Sequence, residues 1–303
     1  MAARHPHRTT PAMPKPLSER ATGLAVVVAG VAILSPDGLL TALISADPAT
    51  ILFWRGLLLG GTLIGWTLLR HRSASPAAFA SIGPAGLLIA VLFAASTAAF
   101  VYSILLAGVA TALFVVATAP LFAALLGWLV LGERVALRTV LAIAATLAGM
   151  AVIFHDGLGR GDAIGILIAV VAALCWAAML VVLRRGRVAD PAPALGVGGL
   201  LIALAMAPIA PTLAVTGDDM MWLCILGLVV LPLSHALIGM GPRWLPAAEV
   251  GLLMLLEAVL GPLWAWIGIG QIPTDQTLLG GAIILGALAA NAAAGMAAER
   301  RRA

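Results

Sequence analysis

Ten apolar stretches, each close to the length of a bilayer crossing, follow one another along this chain with only short polar connectors. Their limits fall near 21–44, 49–69, 83–106, 109–131, 137–154, 162–184, 192–215, 221–240, 246–268 and 277–297. A membrane helix needs about 20 mostly apolar residues. Of the 303 residues, 62% are hydrophobic and only 10% are charged. A soluble domain of this size has no interior large enough to hide that apolar surface, and a disordered chain is poor in apolar residues. The 33 Gly and 18 Pro suit membrane helices, where neighbouring helices satisfy freed backbone groups. The fold class expected is therefore an all-α membrane protein with ten transmembrane helices. The residues before Ser18 are rich in Pro and Arg and are expected to be a disordered cytoplasmic tail of about 1–20. Residues 298–303 form a second short cytoplasmic tail. The apolar run that follows the basic N-terminus is too long for a signal peptide.

The basic residues set an orientation. With ten spans and a cytoplasmic N-terminus, Arg4, Arg8, Lys15, Arg20, Arg70, Arg72, Arg134, Arg138, Arg184, Arg185, Arg187, Arg243, Arg300, Arg301 and Arg302 all fall inside, 15 of the 17 Lys and Arg. Arg160 lies in an outside connector and Arg55 within a span. Asp47, Asp156, Asp162, Asp218, Asp219 and Asp275 occupy the outside connectors. Short loops rich in Lys and Arg stay in the cytoplasm, so both termini are expected there. The pI near 10.0 thus reflects topology, and no nucleic-acid partner is implied.

Ten spans divide into five plus five. An odd number per half makes the second half enter the membrane from the opposite side, the inverted arrangement of many secondary transporters. Spans four and five lie on spans nine and ten at an offset of 138 residues, with Trp128 on Trp266, Gly132 on Gly270, Thr139 on Thr277 and Leu141 on Leu279. The segment Thr118-Ala-Pro-Leu-Phe-Ala-Ala-Leu-Leu-Gly-Trp-Leu-Val-Leu-Gly-Glu133 resembles the end of an EamA-type repeat of the drug/metabolite transporter superfamily. Leu255-Leu-Glu-Ala-Val-Leu-Gly-Pro-Leu-Trp-Ala-Trp-Ile-Gly-Ile-Gly-Gln271 is similar to the second copy, with Ala258 where the Pro is usual and Gln271 where the edge Glu is usual. Ala49-Thr-Ile-Leu-Phe-Trp-Arg55 resembles the second span of such a repeat. The resemblance implies repeats at 21–154 and 162–297 and a ten-helix exporter of small metabolites in a bacterial inner membrane. More narrowly, it is similar to the YddG-like aromatic amino-acid exporters. An amino acid or related metabolite would be the substrate, with no cofactor and no metal, in a monomer or weak homodimer within the lipid bilayer.

Charges at bilayer depth are costly and mark function by default. Glu257 lies midway through the ninth span and shares an i, i+4, i+7 stripe with Gly261 and Trp264. It is either an acceptor for a substrate ammonium group or proton, or a packing residue. Glu249 is read as a wet helix-end residue. The run Ser35-Pro36-Asp37-Gly38 either breaks the first span as a gate or begins the outer connector near Leu34. Arg55 has three readings: a structural or gating ion pair with Asp37, a contact to a substrate carboxylate, or snorkelling. His235, after Pro232 and Ser234, is a packing residue or a proton-sensitive lining group. Trp176 is too deep for an interfacial belt and is either core packing or the flat wall of a substrate cavity. Ser96, Phe100 and Tyr102 of the third span are candidate lining residues. Trp128, Trp222 and Trp244 read as belt residues. Hinges are expected at Pro36, Pro120, Pro232 and Pro262.

A lipid-modifying enzyme is the first alternative, but Asp218-Asp219 has no second acidic cluster, and no Walker loop, His-Glu-x-x-His or Gly-x-Ser-x-Gly motif is present. A channel is the second, and no filter can be read. Cys175 and Cys224 lie in apolar runs and act as filler. Reporter fusions at residue 303 and in the 155–161 connector should read cytoplasmic and external respectively. A swapped result would reverse the charge map.

Overall fold

In hydrocarbon every backbone amide must be satisfied within its own segment, so an apolar chain of this kind becomes helix. A computed structural model describes residues 17–72, 82–131, 137–160, 162–186, 191–240 and 247–300. Among these residues all regular structure is helical. The N-terminal tail before Leu17, the Gly132-Glu133 edge, Trp244 and residues 301–303 lie outside the described residues, as does the side chain of Glu249.

The elements are α1 (Leu17–Leu34), α2 (Asp37–Leu43), α3 (Pro48–His71), α4 (Gly83–Ala107), α5 (Val109–Val116), α6 (Ala119–Leu131), α7 (Leu137–Arg160), α8 (Ala163–Gly186), α9 (Ala192–Met206), α10 (Gly217–Cys224), a π-helical stretch (Ile225–Val230), α11 (Leu231–Met240), α12 (Ala247–Ile269) and α13 (Asp275–Arg300). Among the described residues six stretches are long and apolar enough to cross a membrane: Ala21–Leu43, Pro48–Arg70, Gly83–Ala107, Val109–Val130, Ala163–Leu183 and Gly217–Ile238. Val140–Ile153, Ala192–Met206 and Leu256–Ile269 are shorter apolar helices. The remaining expected span is α13, which opens on Asp275 and Gln276.

Two expectations need correction. The seventh span was expected to run to 215, but α9 stops at Met206 and the chain turns and extends from there to Thr216. Pro208 and Pro211 cannot donate into a helix ladder. Pro262 was expected as a hinge, yet α12 runs through it without a break. The helix loses one hydrogen bond there and its neighbours hold the line. Irregular backbone does fall at Ser35-Pro36, at Ala117-Thr118 just before Pro120, and in the π-helical stretch just before Pro232.

The outer surface is apolar where it is most exposed. Leu204, Ile267 and Leu141 are 73%, 68% and 62% exposed. Water would not tolerate such a belt on a monomer, whereas acyl chains would. Inside, α4 packs along α8, α3 along α9, α7 along α13, α1 along α11, and α5 against α12. Glycines bring several of these pairs to backbone contact. A Cβ on Gly60 would sit 2.8 Å from the Gly196 carbonyl oxygen, and one on Gly149 would sit 2.8 Å from that of Gly280. Without a hydrophobic driving force between helices, such close contact is what holds them.

Two connectors are tied down at one end by three hydrogen bonds. The Ser45 amide donates to Asp219 at 2.9 Å, Thr50 Oγ1 to the Thr212 carbonyl at 2.6 Å, and Trp54 Nε1 to the Leu213 carbonyl at 2.9 Å. A Gly60→Ala protein should lose about 1–3 kcal/mol of stability through backbone overpacking. Gly61→Ala, with nothing within 4 Å of its Cβ, should stay near wild type. Thermal unfolding in detergent separates the two; equal effects would refute the packing account.

Candidate functional site

The break between α1 and α2 creates the site. Pro36 has no N–H, so the Ala32 carbonyl loses its helical donor. Ser35 Oγ takes its place, donating to Ala32 O at 2.8 Å. The chain resumes helix at Asp37, with Leu40 N bonded to Pro36 O at 2.8 Å. The carboxylate of Asp37 thus sits at the positive end of a short helix. Gly38 allows α2 to lie against α5, since a Cβ there would meet Val109 Cγ1 at 2.6 Å.

Arg55, on α3, answers Asp37. Its Nη1 bonds Asp37 Oδ1, its Nη2 donates to Asp37 Oδ2 at 2.7 Å, and Nη1 also donates to Thr41 Oγ1 at 3.0 Å. Thr41 in turn donates to Asp37 at 3.3 Å. Asp37 and Arg55 are 4% and 3% exposed and Thr41 is fully buried. The Nε of Arg55 is buried and has no acceptor among the described residues. Of the readings open for these residues, the geometry selects a buried ion pair within a bent first span, and excludes snorkelling.

The second half approaches the same break. A Cβ on Gly261 would collide with Leu113 and lie 3.6 Å from the Ser35 carbonyl. Trp264 Nε1 donates to Ser35 Oγ at 2.9 Å. The Glu257–Gly261–Trp264 stripe therefore runs along the break. Glu257 is half-buried and makes no hydrogen bond among the described residues. Both Glu257 and His235 lie within the field of Asp37 and Arg55. His235 Nδ1 is 2.7 Å from the Leu231 carbonyl. A carbonyl only accepts, so Nδ1 carries a proton and Nε2 is left for another partner.

The other expected residues pack against apolar clusters or are engaged in helix packing. Trp176 packs beside the cluster of Leu34, Met179 and Leu231. Tyr102 packs beside Leu40, Leu52 and Val101, and Phe100 beside Ile104, Leu113 and Ala265. Ser96 donates to the Ala172 carbonyl at 3.0 Å, so its hydroxyl is engaged in α4–α8 packing. Sequence reading missed Thr41, whose signal was a hydroxyl one helical turn from Asp37. It also missed Gln271 as a contact: its Oε1 accepts the Val109 amide at 3.1 Å, and Gly108, at φ 82°, leaves room for it.

Two cavities lie away from this centre. One of about 90 Å³ is lined by Thr118, Phe122, Thr146 and Met150 among others, and one of about 40 Å³ by Gly108, Thr111, Gln271 and Thr277 among others. Both are far below the roughly 300 Å³ of a small-molecule site. The polar centre itself is closed. Among the described residues no group of His, Cys, Asp or Glu could hold a metal ion. Replacing Arg55 with Ala strands Asp37 and should cost about 3–5 kcal/mol, while the double Asp37→Asn/Arg55→Gln protein should regain much of that loss. Detergent unfolding of the two proteins checks this, and an Arg55→Ala protein as stable as wild type would contradict it.

The family model described as the EamA-like transporter family matches twice, over residues 21–155 and 163–292. A protein of known crystal structure is similar in fold, with a TM-score of 0.60 and 22% identity, covering 90% of this chain and 97% of that one. No curated protein matches. Two family repeats in tandem, on an all-helical bundle with an apolar exterior, identify this chain as a member of the EamA-like transporter family, a multi-pass membrane protein of the drug/metabolite transporter superfamily.

Proposed function

We propose that this protein is a secondary transporter that carries small metabolites, amino acids above all, out of the cell across the bacterial inner membrane by alternating access. The observation that carries the reading is the polar centre at the Ser35-Pro36 break. A bundle held by packing alone has no need to bury Arg55, Asp37 and Thr41 together beside Glu257. Charges at bilayer depth cost several kcal/mol on insertion scales, and broken helices beside them are the usual setting of a transport site.

The proposed architecture is ten spans in two inverted five-helix halves. Let span one be α1 with α2, span four α5 with α6, and span eight α10 through α11. Exchanging the halves then carries the α4–α8 contact onto α11–α1, and carries the α3–α9, α7–α13 and α5–α12 contacts onto themselves. That pairing supports a pseudo-two-fold arrangement. With five spans per half, such an axis lies in the membrane plane. The hydrogen bonds among residues 45, 50, 54, 212, 213 and 219 are consistent with the orientation in which both connectors face outward and both termini face the cytoplasm.

In this mechanism the halves rock about the irregular backbone at Pro36, Pro120 and Pro232, exposing the centre to one side at a time. Glu257 faces the ammonium group of the substrate, helix ends freed at the breaks face its carboxylate, and Trp176 walls the opened site. Glu257→Gln and Trp176→Ala proteins should insert normally. In proteoliposomes their counterflow of labelled amino acids should fall by about tenfold or more, the worth of a lost charge-assisted hydrogen bond for the former. Wild-type flux from both would remove these residues from the mechanism.

A further inference from the structure

We propose that the Nε edge of Arg55 is a carboxylate-binding site, which makes the transported solute an α-amino acid and not an amine or an uncharged metabolite. The inference rests on the transporter reading above and deepens it. A guanidinium carries five donors in a fixed fork. Here the end edge is spent: Nη1 and Nη2 hold the two oxygens of Asp37, and Nη1 also reaches Thr41. The side edge, formed by Nε and the second proton of Nη2, matches the two oxygens of a carboxylate. Its Nε is buried and unpartnered, in a side chain only 4% exposed. A buried donor without an acceptor is rare in native structures, and one on a charged group is costlier still.

The surrounding groups fit a zwitterion. Asp37 already neutralises Arg55, so a second carboxylate on the side edge brings one negative charge, which the ligand's own ammonium cancels while it faces Glu257 across the break. Asp37 acts as a positioning residue: by clamping the end edge it aims the side edge away from itself. Access comes from α2, which carries Asp37 and Thr41 and is joined to α1 only through the Ser35-Pro36 break. The chemistry that would compete for the edge is Glu257 itself, swinging onto Arg55 in another state.

The test uses the full chain in proteoliposomes. Counterflow of labelled L-phenylalanine, L-leucine and L-alanine is measured, each competed by the unlabelled acid or by its carboxamide. Wild type should favour the acid over the amide by about tenfold or more, the worth of a charge-assisted pair. Arg55→Lys keeps a cation for Asp37 but has no planar edge, so the preference should shrink towards unity along with the flux. A merely structural role would lower flux and leave the acid-to-amide ratio unchanged. If the Lys protein does not insert, Arg55→Gln replaces it, and the wild-type ratio stands as a test by itself. An amide that competes as well as the acid in wild type, as expected were the edge reserved for Glu257, overturns the proposal. So does an unchanged ratio in an inserted variant. Absence of saturable flux for all three amino acids would instead remove the amino-acid transporter reading, and this inference with it.

Discussion

An arginine held in hydrocarbon has to find its counter-charge inside the bundle, and that requirement organises the centre of this protein. Arg55 sits on an unbroken helix, and Asp37 reaches it because the preceding span is broken one residue earlier. The proline that breaks the span also removes a donor, which Ser35 replaces. The glycine that follows lets the short helix close on α5. Each residue of Ser35-Pro36-Asp37-Gly38 therefore has a separate physical task, and the ion pair depends on all of them. Buried pairs seldom add stability over an apolar alternative, and that is why this pair enters the proposed mechanism.

The second half is built onto the same point. Gly261 admits Leu113 and the Ser35 carbonyl, and Trp264 hydrogen bonds to Ser35. Glu257 lies on the same helical stripe. The break in the first half and the stripe in the second thus meet, and glycine-mediated backbone contacts between α3 and α9 and between α7 and α13 also join the two halves.

Much of this could be read from residue order alone. The ionisable residues at membrane depth stood out because lipid makes them expensive, and the pairing of Asp37 with Arg55 was among the readings left open. The family resemblance was carried by the Thr118–Glu133 and Leu255–Gln271 segments, and the family match confirms it. Other features were not legible. Hydropathy alone carried the seventh span to 215, because Ala, Leu and Val continue between Pro208 and Thr216 and mask the loss of donors. Proline alone does not say where a helix breaks: Pro36 and Pro262 read alike, but only the former follows a serine able to replace its missing hydrogen bond. Ser96 looked like a lining residue because periodicity shows which face a hydroxyl is on and not what it meets, here the Ala172 carbonyl. Thr41 was overlooked because its importance comes from Asp37 one turn away and Arg55 on another helix.

The central claim is that this closed polar centre opens to one side of the membrane and then to the other. It is tested most directly by placing a thiol at the break. In a background with Cys175 and Cys224 replaced by Ala, a Ser35→Cys protein in sealed vesicles would be exposed to a membrane-impermeant maleimide from the outside or from the lumen. The account predicts that the thiol is labelled from either side, and that a transported amino acid shifts the two rates in opposite directions. A thiol that neither face can label, with or without substrate, would mean that Asp37 and Arg55 are a sealed structural pair, and would contradict the account.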